Sequence, residues 1–148
     1  MAIAYFDASA LVKLLVNEAG SDVAAAIWDG CDAAFASRLA YPEVCAALAG
    51  AGRRGDLSPE ELVECRHRWQ QFWASIRPVE LSAQDEQSSG RLAQHHGLRG
   101  ADAVHLASAL ALESADLVVA VWDRRLHTGA VAERLTVVPA TLPVSGDI

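Results

Sequence analysis

Ile3-Ala4-Tyr5-Phe6-Asp7 is a short hydrophobic run that ends on an aspartate, and Leu117-Val118-Val119-Ala120-Val121-Trp122-Asp123 repeats the pattern far along the chain. Short apolar runs of this kind are typical of buried strands in a parallel sheet. In open α/β sheets, ligands bind beyond the carboxyl ends of the strands. We therefore expect both aspartates to face one crevice and to form a divided acidic site.

Helix and strand signals alternate along the chain. Ser58 before Pro59, and Ser82 with Asp85 three residues later, mark two helix starts. The predicted elements are, in order, a strand at 3–6, helices at 11–16 and 23–28, a strand at 33–36, helices from Pro42 and from Ser58 to about Ser75, a strand at 78–81, helices from Ser82 and at 101–114, a strand ending at Asp123, a helix through Ala132 and a strand at 135–138. This alternation predicts an α/β fold, a three-layer sandwich with a central, mostly parallel sheet of four to five strands flanked by helices.

Length and composition narrow the class of protein. A chain of 148 residues has the size of one domain, so we expect residues 1–148 to form a single domain. No run approaches the roughly 18 apolar residues of a membrane span, and the N-terminus lacks a signal-peptide pattern. We expect a cytoplasmic protein without membrane contact. Cys31, Cys45 and Cys65 form no CxxC pair, which indicates neither a disulfide framework nor a zinc site.

The net charge of -7 counts against a nucleic-acid partner, because phosphate contacts require a cationic surface. The objection weakens if a divalent cation neutralises some of the acids. Eleven of the twelve basic residues are arginine, which binds phosphate in a bidentate way. Codon bias explains the arginine excess equally well.

Two further acids stand where predicted helices begin, Glu43 and Asp102. Strand ends and the N-termini of the following helices lie on one side of a three-layer α/β fold, so these acids can converge with Asp7 and Asp123. Clustered carboxylates repel one another unless a cation lies among them, and Mg²⁺ or Mn²⁺ prefers oxygen ligands. Each acid is also explained as a helix cap, worth about 0.5 to 2 kcal/mol. Spacing alone leaves both interpretations open.

Four segments resemble the motifs of one family in the same order. They are Asp7-Ala-Ser-Ala-Leu-Val-Lys-Leu-Leu, Tyr41-Pro-Glu-Val, Leu98-Arg-Gly-Ala-Asp-Ala-Val-His-Leu-Ala-Ser-Ala and Val121-Trp-Asp-Arg-Arg-Leu. The sequence resembles PIN-domain ribonucleases, and specifically the VapC-type toxins of bacterial type II toxin-antitoxin pairs. The resemblance spans residues 3 to 126.

The resemblance implies a Mg²⁺- or Mn²⁺-dependent endoribonuclease. Its four acidic metal ligands would be Asp7, Glu43, Asp102 and Asp123, and Ser9 would be the family's hydroxyl beside the first aspartate. The implied partners are an RNA substrate, a second copy of the chain in a homodimer, and a VapB-type antitoxin. Operator DNA would be bound only through that antitoxin.

Several other residues have two readings. Lys13 and Arg99 match basic positions of the family's motifs, and Arg124 and Arg125 follow Asp123 directly, so all four are candidates for contact with the RNA backbone. Lys13 is better explained as a surface residue, since it lies about one turn along a helix. His105, three residues after Asp102, lies on the same helical face and can reach a metal or a phosphate, although a hydrogen-bonded packing role explains it better.

Val121 departs from the family pattern, since many members have Thr or Ser two residues before the last aspartate. The loss of such a supporting hydrogen bond typically weakens metal binding about 10- to 100-fold.

The stripe of Trp69, Phe72 and Trp73 at helical spacing indicates either ordinary core packing or, through the resemblance, a docking or dimer surface.

Two other functions remain as alternatives. A phosphoaspartyl phosphatase-like hydrolase also places an aspartate after its first strand, but it requires a second acid two residues later, where this chain has Ser9. A non-catalytic protein-binding module predicts that Asp7→Asn leaves function intact. The nuclease interpretation predicts instead that this substitution abolishes RNA cleavage.

Overall fold

A computed structural model of the chain describes residues 1–144. Helices and strands follow one another in the predicted alternation. They are β1 (Ile3–Phe6), α1 (Ala8–Leu15), α2 (Ser21–Gly30), β2 (Ala33–Ser37), α3 (Ala40–Arg54), α4 (Pro59–Ser75), β3 (Ile76–Val79), α5 (Ala83–His96), α6 (Gly100–Leu110), β4 (Leu117–Ala120), α7 (Arg124–Ala132) and β5 (Thr136–Val138). The predicted order of elements is confirmed.

The five strands form one sheet in the order β3-β2-β1-β4-β5, and every neighbouring pair is parallel. The first strand lies in the centre, where Tyr5 is opposite Phe35 of β2 and Val119 of β4. Because all strands run in one direction, their carboxyl ends lie at one edge of the sheet. The predicted α/β sandwich is therefore confirmed, with a sheet that is wholly parallel.

Helices cover both faces of this sheet. Alternate side chains of β1 point to opposite faces, so Ala4 and Phe6 belong to one core cluster and Ile3 and Tyr5 to another. The first cluster is completed by residues of α1 to α4, and the second by residues of α6 and α7. Two buried layers of side chains on a parallel sheet give the three-layer arrangement its stability.

Local capping chemistry sets the clearest helix boundaries. Ser58 and Ser82 each accept a hydrogen bond from the backbone of the third helical residue, and both form reciprocal capping boxes with Glu61 and Asp85. Gly55 ends α3 in a left-handed conformation that glycine adopts without steric cost. These predicted helix starts are confirmed.

Several predicted boundaries are wrong by a few residues. The third strand is Ile76–Val79 rather than 78–81, because α4 passes into the strand without a loop and Ile76 is buried in the core. The fourth strand ends at Ala120, so Trp122 and Asp123 follow it in a loop. The sixth helix ends at Leu110 rather than at residue 114.

The tryptophan stripe belongs largely to the core. Trp69 is 1% exposed and packs against Tyr41 and Trp73, so it cannot form part of a docking surface. Phe72 and Trp73 are partly buried against the same cluster.

The three cysteines are free thiols. Among the helices of residues 1–144, none combines the length and apolar character of a membrane span.

Candidate active site

Asp7 lies at the centre of the site, directly after β1 and before α1. It caps α1, since its Oδ1 accepts a hydrogen bond of 2.9 Å from the Ala10 backbone N–H. Its side chain is almost fully buried. Burial raises the pKa of Asp7 from 3.8 to about 6, and repulsion by Asp123 adds to the rise, while His105 and the hydrogen bonds from Ser9 and Ala10 oppose it.

The Ser9 hydroxyl joins the two strand-end aspartates. Its Oγ lies 2.6 Å from Asp7 Oδ1 and 2.8 Å from Asp7 Oδ2, so its single hydrogen is donated to both oxygens of that carboxylate. The same oxygen accepts hydrogen bonds from the backbone N–H groups of Trp122 and Asp123, at 3.0 and 3.3 Å. Ser9 therefore fixes the loop after β4 against the carboxylate that follows β1.

Asp123 is itself a helix cap. Its Oδ1 accepts a hydrogen bond of 3.0 Å from Leu126 N–H at the start of α7. Both strand-end aspartates thus have a capping role, and the capping interpretation is correct for each. A cap engages only part of a carboxylate, so capping does not exclude a second role for the remaining oxygen.

Glu43 lies in the first turn of α3 and is held by a histidine. Its Oε1 lies 2.6 Å from His105 Nε2, and His105 Nδ1 lies 2.7 Å from the Tyr5 hydroxyl. Burial lowers the pKa of His105, but the hydrogen bond to Glu43 and the negative charges of Asp7, Glu43 and Asp102 outweigh it, so the net pKa is raised. The packing interpretation of His105 understates this contact with an acid of the site.

Asp102 lies in the first turn of α6 and is the least satisfied of the four acids. Its Oδ2 is buried without a hydrogen-bond partner among residues 1–144. Burial raises the pKa of Asp102, repulsion by Asp123 and Glu43 raises it further, and His105 and Arg99 lower it. A buried carboxylate oxygen without a partner is costly, and a cation among the acids would relieve that cost.

The four acids form one electrostatic cluster, but they do not form a closed ligand set. Within residues 1–144, no three Asp, Glu, His or Cys side chains make a group that could hold a metal ion as they stand. Asp7, Glu43 and Asp123 each direct an oxygen at a protein donor instead. In chemical type the residues fit a hard divalent cation, because all four offer carboxylate oxygens and one of these oxygens is orphaned.

The predicted RNA-contacting residues differ in accessibility. Lys13 is only 12% exposed, and its ammonium contacts Glu18 Oε1 at 3.0 Å and the Ala19 carbonyl at 2.7 Å. It also lies over the Trp122 ring, so it serves packing beside the site. Arg99, Arg124 and Arg125 are exposed at the starts of α6 and α7.

Val121 is a core residue. It is fully buried in the cluster between the sheet and α6–α7, and its N–H donates to the Val138 carbonyl at 3.1 Å. The hydroxyl that contacts the loop after β4 comes from Ser9 instead. The effect of Val121 on metal affinity stays a prediction.

Comparison with known proteins identifies the family of this chain. Residues 4–129 match the family described as PIN domain. The chain is 63% identical over 142 residues to Ribonuclease VapC45 of Mycobacterium tuberculosis CDC 1551 and to Ribonuclease VapC49 of strain H37Rv, covering 96% of this chain and 99% of each relative. The chain belongs to the VapC group of the PIN-domain family.

Solved structures of other proteins share the fold of this chain. A toxin-antitoxin complex from Klebsiella pneumoniae has a TM-score of 0.66 at 18% identity, covering 95% of this chain and 99% of that one. VapC20 of Mycobacterium tuberculosis, described as a sarcin-ricin loop cleaving toxin, has a TM-score of 0.62 at 15% identity, with coverage of 84% and 93%. At such identities these structures show the shared fold alone.

Sequence reasoning missed two contributors to the site. Tyr5 was read only as part of a hydrophobic strand, yet its hydroxyl contacts His105. Gly20 permits the close approach of Trp122, since a Cβ there would lie 2.7 Å from the indole Nε1. The one feature of the sequence that could have indicated the role of Tyr5 is its polar hydroxyl, two residues before Asp7.

Proposed function

We propose that this chain is a metal-dependent endoribonuclease that acts as the toxin of a VapBC-type toxin-antitoxin pair. The observation that carries the proposal is the 63% identity, over nearly the whole chain, to two proteins named as ribonucleases. The acidic site at the carboxyl edge of the sheet supplies residues suited to that chemistry. We also propose that residues 1–148 form one domain and that the protein acts in the cytoplasm.

The proposed ligands of Mg²⁺ or Mn²⁺ are Asp7, Glu43, Asp102 and Asp123. Two features support this assignment: the orphaned Asp102 oxygen and the raised pKa values of Asp7 and Asp102. A divalent ion, when bound, neutralises the carboxylates, polarises a phosphodiester oxygen and lowers the pKa of water.

The chain's own residues have distinct roles in this proposal. Ser9 orients Asp7 and holds the loop that carries Asp123, so it keeps two ligands from distant parts of the chain in register. Attack by water on a phosphodiester and breakage of the P–O3′ bond leave a 5′-phosphate and a 3′-hydroxyl. The proton of the water passes to the leaving 3′ oxygen.

Arginines at the rim provide the proposed contact with the RNA backbone. Arg99, Arg124 and Arg125 are exposed and make no salt bridge with a carboxylate within residues 1–144. Arg99 directly precedes α6, the helix that carries Asp102. Arg124 and Arg125 begin α7, directly after Asp123. All three therefore border the acidic site. The Arg124 guanidinium also donates to the Pro143 carbonyl. Lys13 is not part of this proposed surface, because its ammonium is held within the chain.

A VapB-type antitoxin is the proposed partner, together with a second copy of the chain in a homodimer. Similar folds occur in proteins described as toxin-antitoxin complexes, and one is described as bound to a promoter DNA fragment. We place antitoxin contact at Trp73, beside a hollow of about 410 Å³ lined also by Arg38, Tyr41, Pro42 and Gln70. This hollow adjoins the turn that carries Glu43. Operator DNA would be bound through the antitoxin.

Cleavage of total RNA tests the activity. Purified protein, freed of any antitoxin, is incubated with Mg²⁺, Mn²⁺ or EDTA beside Asp7→Asn and Asp102→Asn. We expect cleavage only with metal, and loss of cleavage in both variants. Cutting that persists in EDTA, or that survives both substitutions, would refute the proposed site.

Co-expression tests the partner surface. We expect Trp73→Ala to reduce capture of the cognate antitoxin in affinity purification, while Val63→Ala, an exposed change on the same helix, leaves it unchanged. Equal capture by both variants would place the antitoxin elsewhere. Light scattering of the purified toxin measures whether it is dimeric.

A further inference from the structure

A chain of buried hydrogen bonds runs from the sheet to Glu43. The Ser37 backbone N–H donates to the Tyr5 hydroxyl at 3.1 Å, the hydroxyl contacts His105 Nδ1 at 2.7 Å, and His105 Nε2 contacts Glu43 Oε1 at 2.6 Å. Tyr5 is fully buried and His105 is 2% exposed. The chain connects β2, β1, α6 and α3, and solvent does not reach its two middle side chains, Tyr5 and His105.

The direction of these bonds follows from their donors. The Tyr5 oxygen accepts from the Ser37 N–H, and the Glu43 carboxylate can only accept, so His105 Nε2 must donate to it; in the neutral ring Nδ1 then accepts, and the Tyr5 hydrogen points at it. The ring hydrogen of neutral His105 is then on Nε2, which donates to Glu43. Nε2 also carries a hydrogen in the imidazolium form. The bond to Glu43 therefore exists in both protonation states of the ring.

Glu43 needs this support more than the strand-end aspartates do. Asp7 and Asp123 are held by backbone N–H groups of the helices that they cap. No backbone group within residues 1–144 donates to the Glu43 carboxylate, and its side chain is 31% exposed on α3. A long flexible side chain at the edge of a crevice has many rotamers, and the His105 bond selects one of them.

We infer that His105, itself oriented by Tyr5, is a positioning residue that holds Glu43 in place to bind the divalent metal. The inference rests on the proposed function. Tyr5 lies two residues before Asp7, so this chain of hydrogen bonds connects Glu43 on α3 to the strand that leads into Asp7. One oxygen of Glu43 is occupied by His105, which leaves the other for a cation. Supporting partners of this kind typically change metal affinity about 10- to 100-fold.

The test is titration of Mn²⁺ alone into the metal-free full-length protein by calorimetry, together with the melting temperature in EDTA. His105→Phe removes both hydrogen bonds of the ring, whereas His105→Gln keeps an N–H donor near the position of Nε2. Tyr5→Phe removes a single oxygen. His96→Phe is the matched control, because His96 Nε2 contacts Glu133 Oε1 at 2.7 Å in a similar pair that joins the ends of α5 and α7.

We expect His105→Phe to weaken Mn²⁺ binding about 10- to 100-fold, Tyr5→Phe to weaken it less, and His105→Gln to recover most of the loss. The control should keep the wild-type Kd even if its melting temperature falls. Unchanged Kd values in His105→Phe and Tyr5→Phe would overturn the inference while leaving the nuclease proposal intact. Equal losses in His105→Phe and His105→Gln would also overturn it.

The two levels of proposal fail in different ways. Wild-type protein that binds no Mn²⁺ would refute the metal dependence of the proposed function, and the inference with it. Wild-type protein that binds Mn²⁺ and cuts RNA, beside variants with wild-type affinity, would refute the positioning role alone. Tyr5→Phe keeps the test decisive if His105→Phe does not fold.

Discussion

Asp7→Asn should stabilise the metal-free protein even though it removes the central acid of the site. Asp7 is almost fully buried, and its burial raises the pKa of the carboxyl from 3.8 to about 6. The folded state therefore binds a proton more tightly than the unfolded state does. Stability contributed by this proton is fully present below pH 3.8 and is lost as the pH rises through about 6.

The size of the effect follows from the two pKa values. At pH 7.5 their difference corresponds to roughly 3 kcal/mol of lost stability, and at pH 5 to about half of that. Asparagine caps helices as well as aspartate does, so the bond from Ala10 survives. A buried amide N–H₂ that lacks a good acceptor costs about 1 kcal/mol. The net gain at pH 7.5 is about 2 kcal/mol, or about 4 to 8 °C in Tm for a chain of this size.

Thermal unfolding in EDTA measures the gain. Wild type and Asp7→Asn are compared at pH 7.5, 5 and 4, with Asp29→Asn, an exposed acid on α2, as the control. The advantage of Asp7→Asn should shrink as the pH falls and disappear near pH 4, and the control should stay within about 2 °C of wild type throughout. A lower Tm for Asp7→Asn at pH 7.5, or a gain independent of pH, would refute the reasoning.

Three further changes test other parts of the molecule. Ser9→Ala should cost about 1 to 3 kcal/mol in urea denaturation, because it removes the hydroxyl that the loop after β4 uses; an unchanged midpoint would contradict this role. Trp69→Ala should cost about 3 to 5 kcal/mol by the same measurement, and much less as Trp69→Phe, since the indole N–H has no partner in the described residues; equal losses would argue against cavity formation. The double variant Arg124→Ala, Arg125→Ala should weaken RNA binding in EDTA, measured by fluorescence anisotropy, and should reduce the slope of log K against log salt concentration by about 1 to 2. Arg66→Ala should change neither quantity. An equal loss of binding in Arg66→Ala would indicate that RNA binding depends only on the total positive charge of the protein.

Local chemistry made most of the fold predictable. The capping serines at 58 and 82 and the glycine at 55 act through neighbours within a few residues, so the sequence contains all the information needed to place those boundaries. The third strand was misplaced because its bounds depend on pairing with β2. Ile76 pairs with Ala34, and that partner lies far away in the sequence.

The sequence predicts the position of the acidic site, but not the hydrogen bonds that join its residues. Asp7 and Asp123 were expected at one edge because parallel strands end together, and Ser9 bridges them. The contact between Tyr5 and His105 spans 100 positions and depends on how α6 packs over β1. No periodicity within either segment contains that information, so the sequence favours a packing role for the histidine over contact with a metal or a phosphate.

The central position of β1 has a consequence for the time course of synthesis. Of the five strands this one is synthesised first, yet one of its two neighbours, β4, and the loop bonded to Ser9 come more than 100 residues later. At about 5 to 20 residues per second, synthesis of 148 residues takes roughly 7 to 30 seconds. Throughout most of that interval the nascent chain lacks Asp123 and an enclosed Asp7. The two aspartates that Ser9 joins therefore come together only after β4 and the loop that follows it have been synthesised.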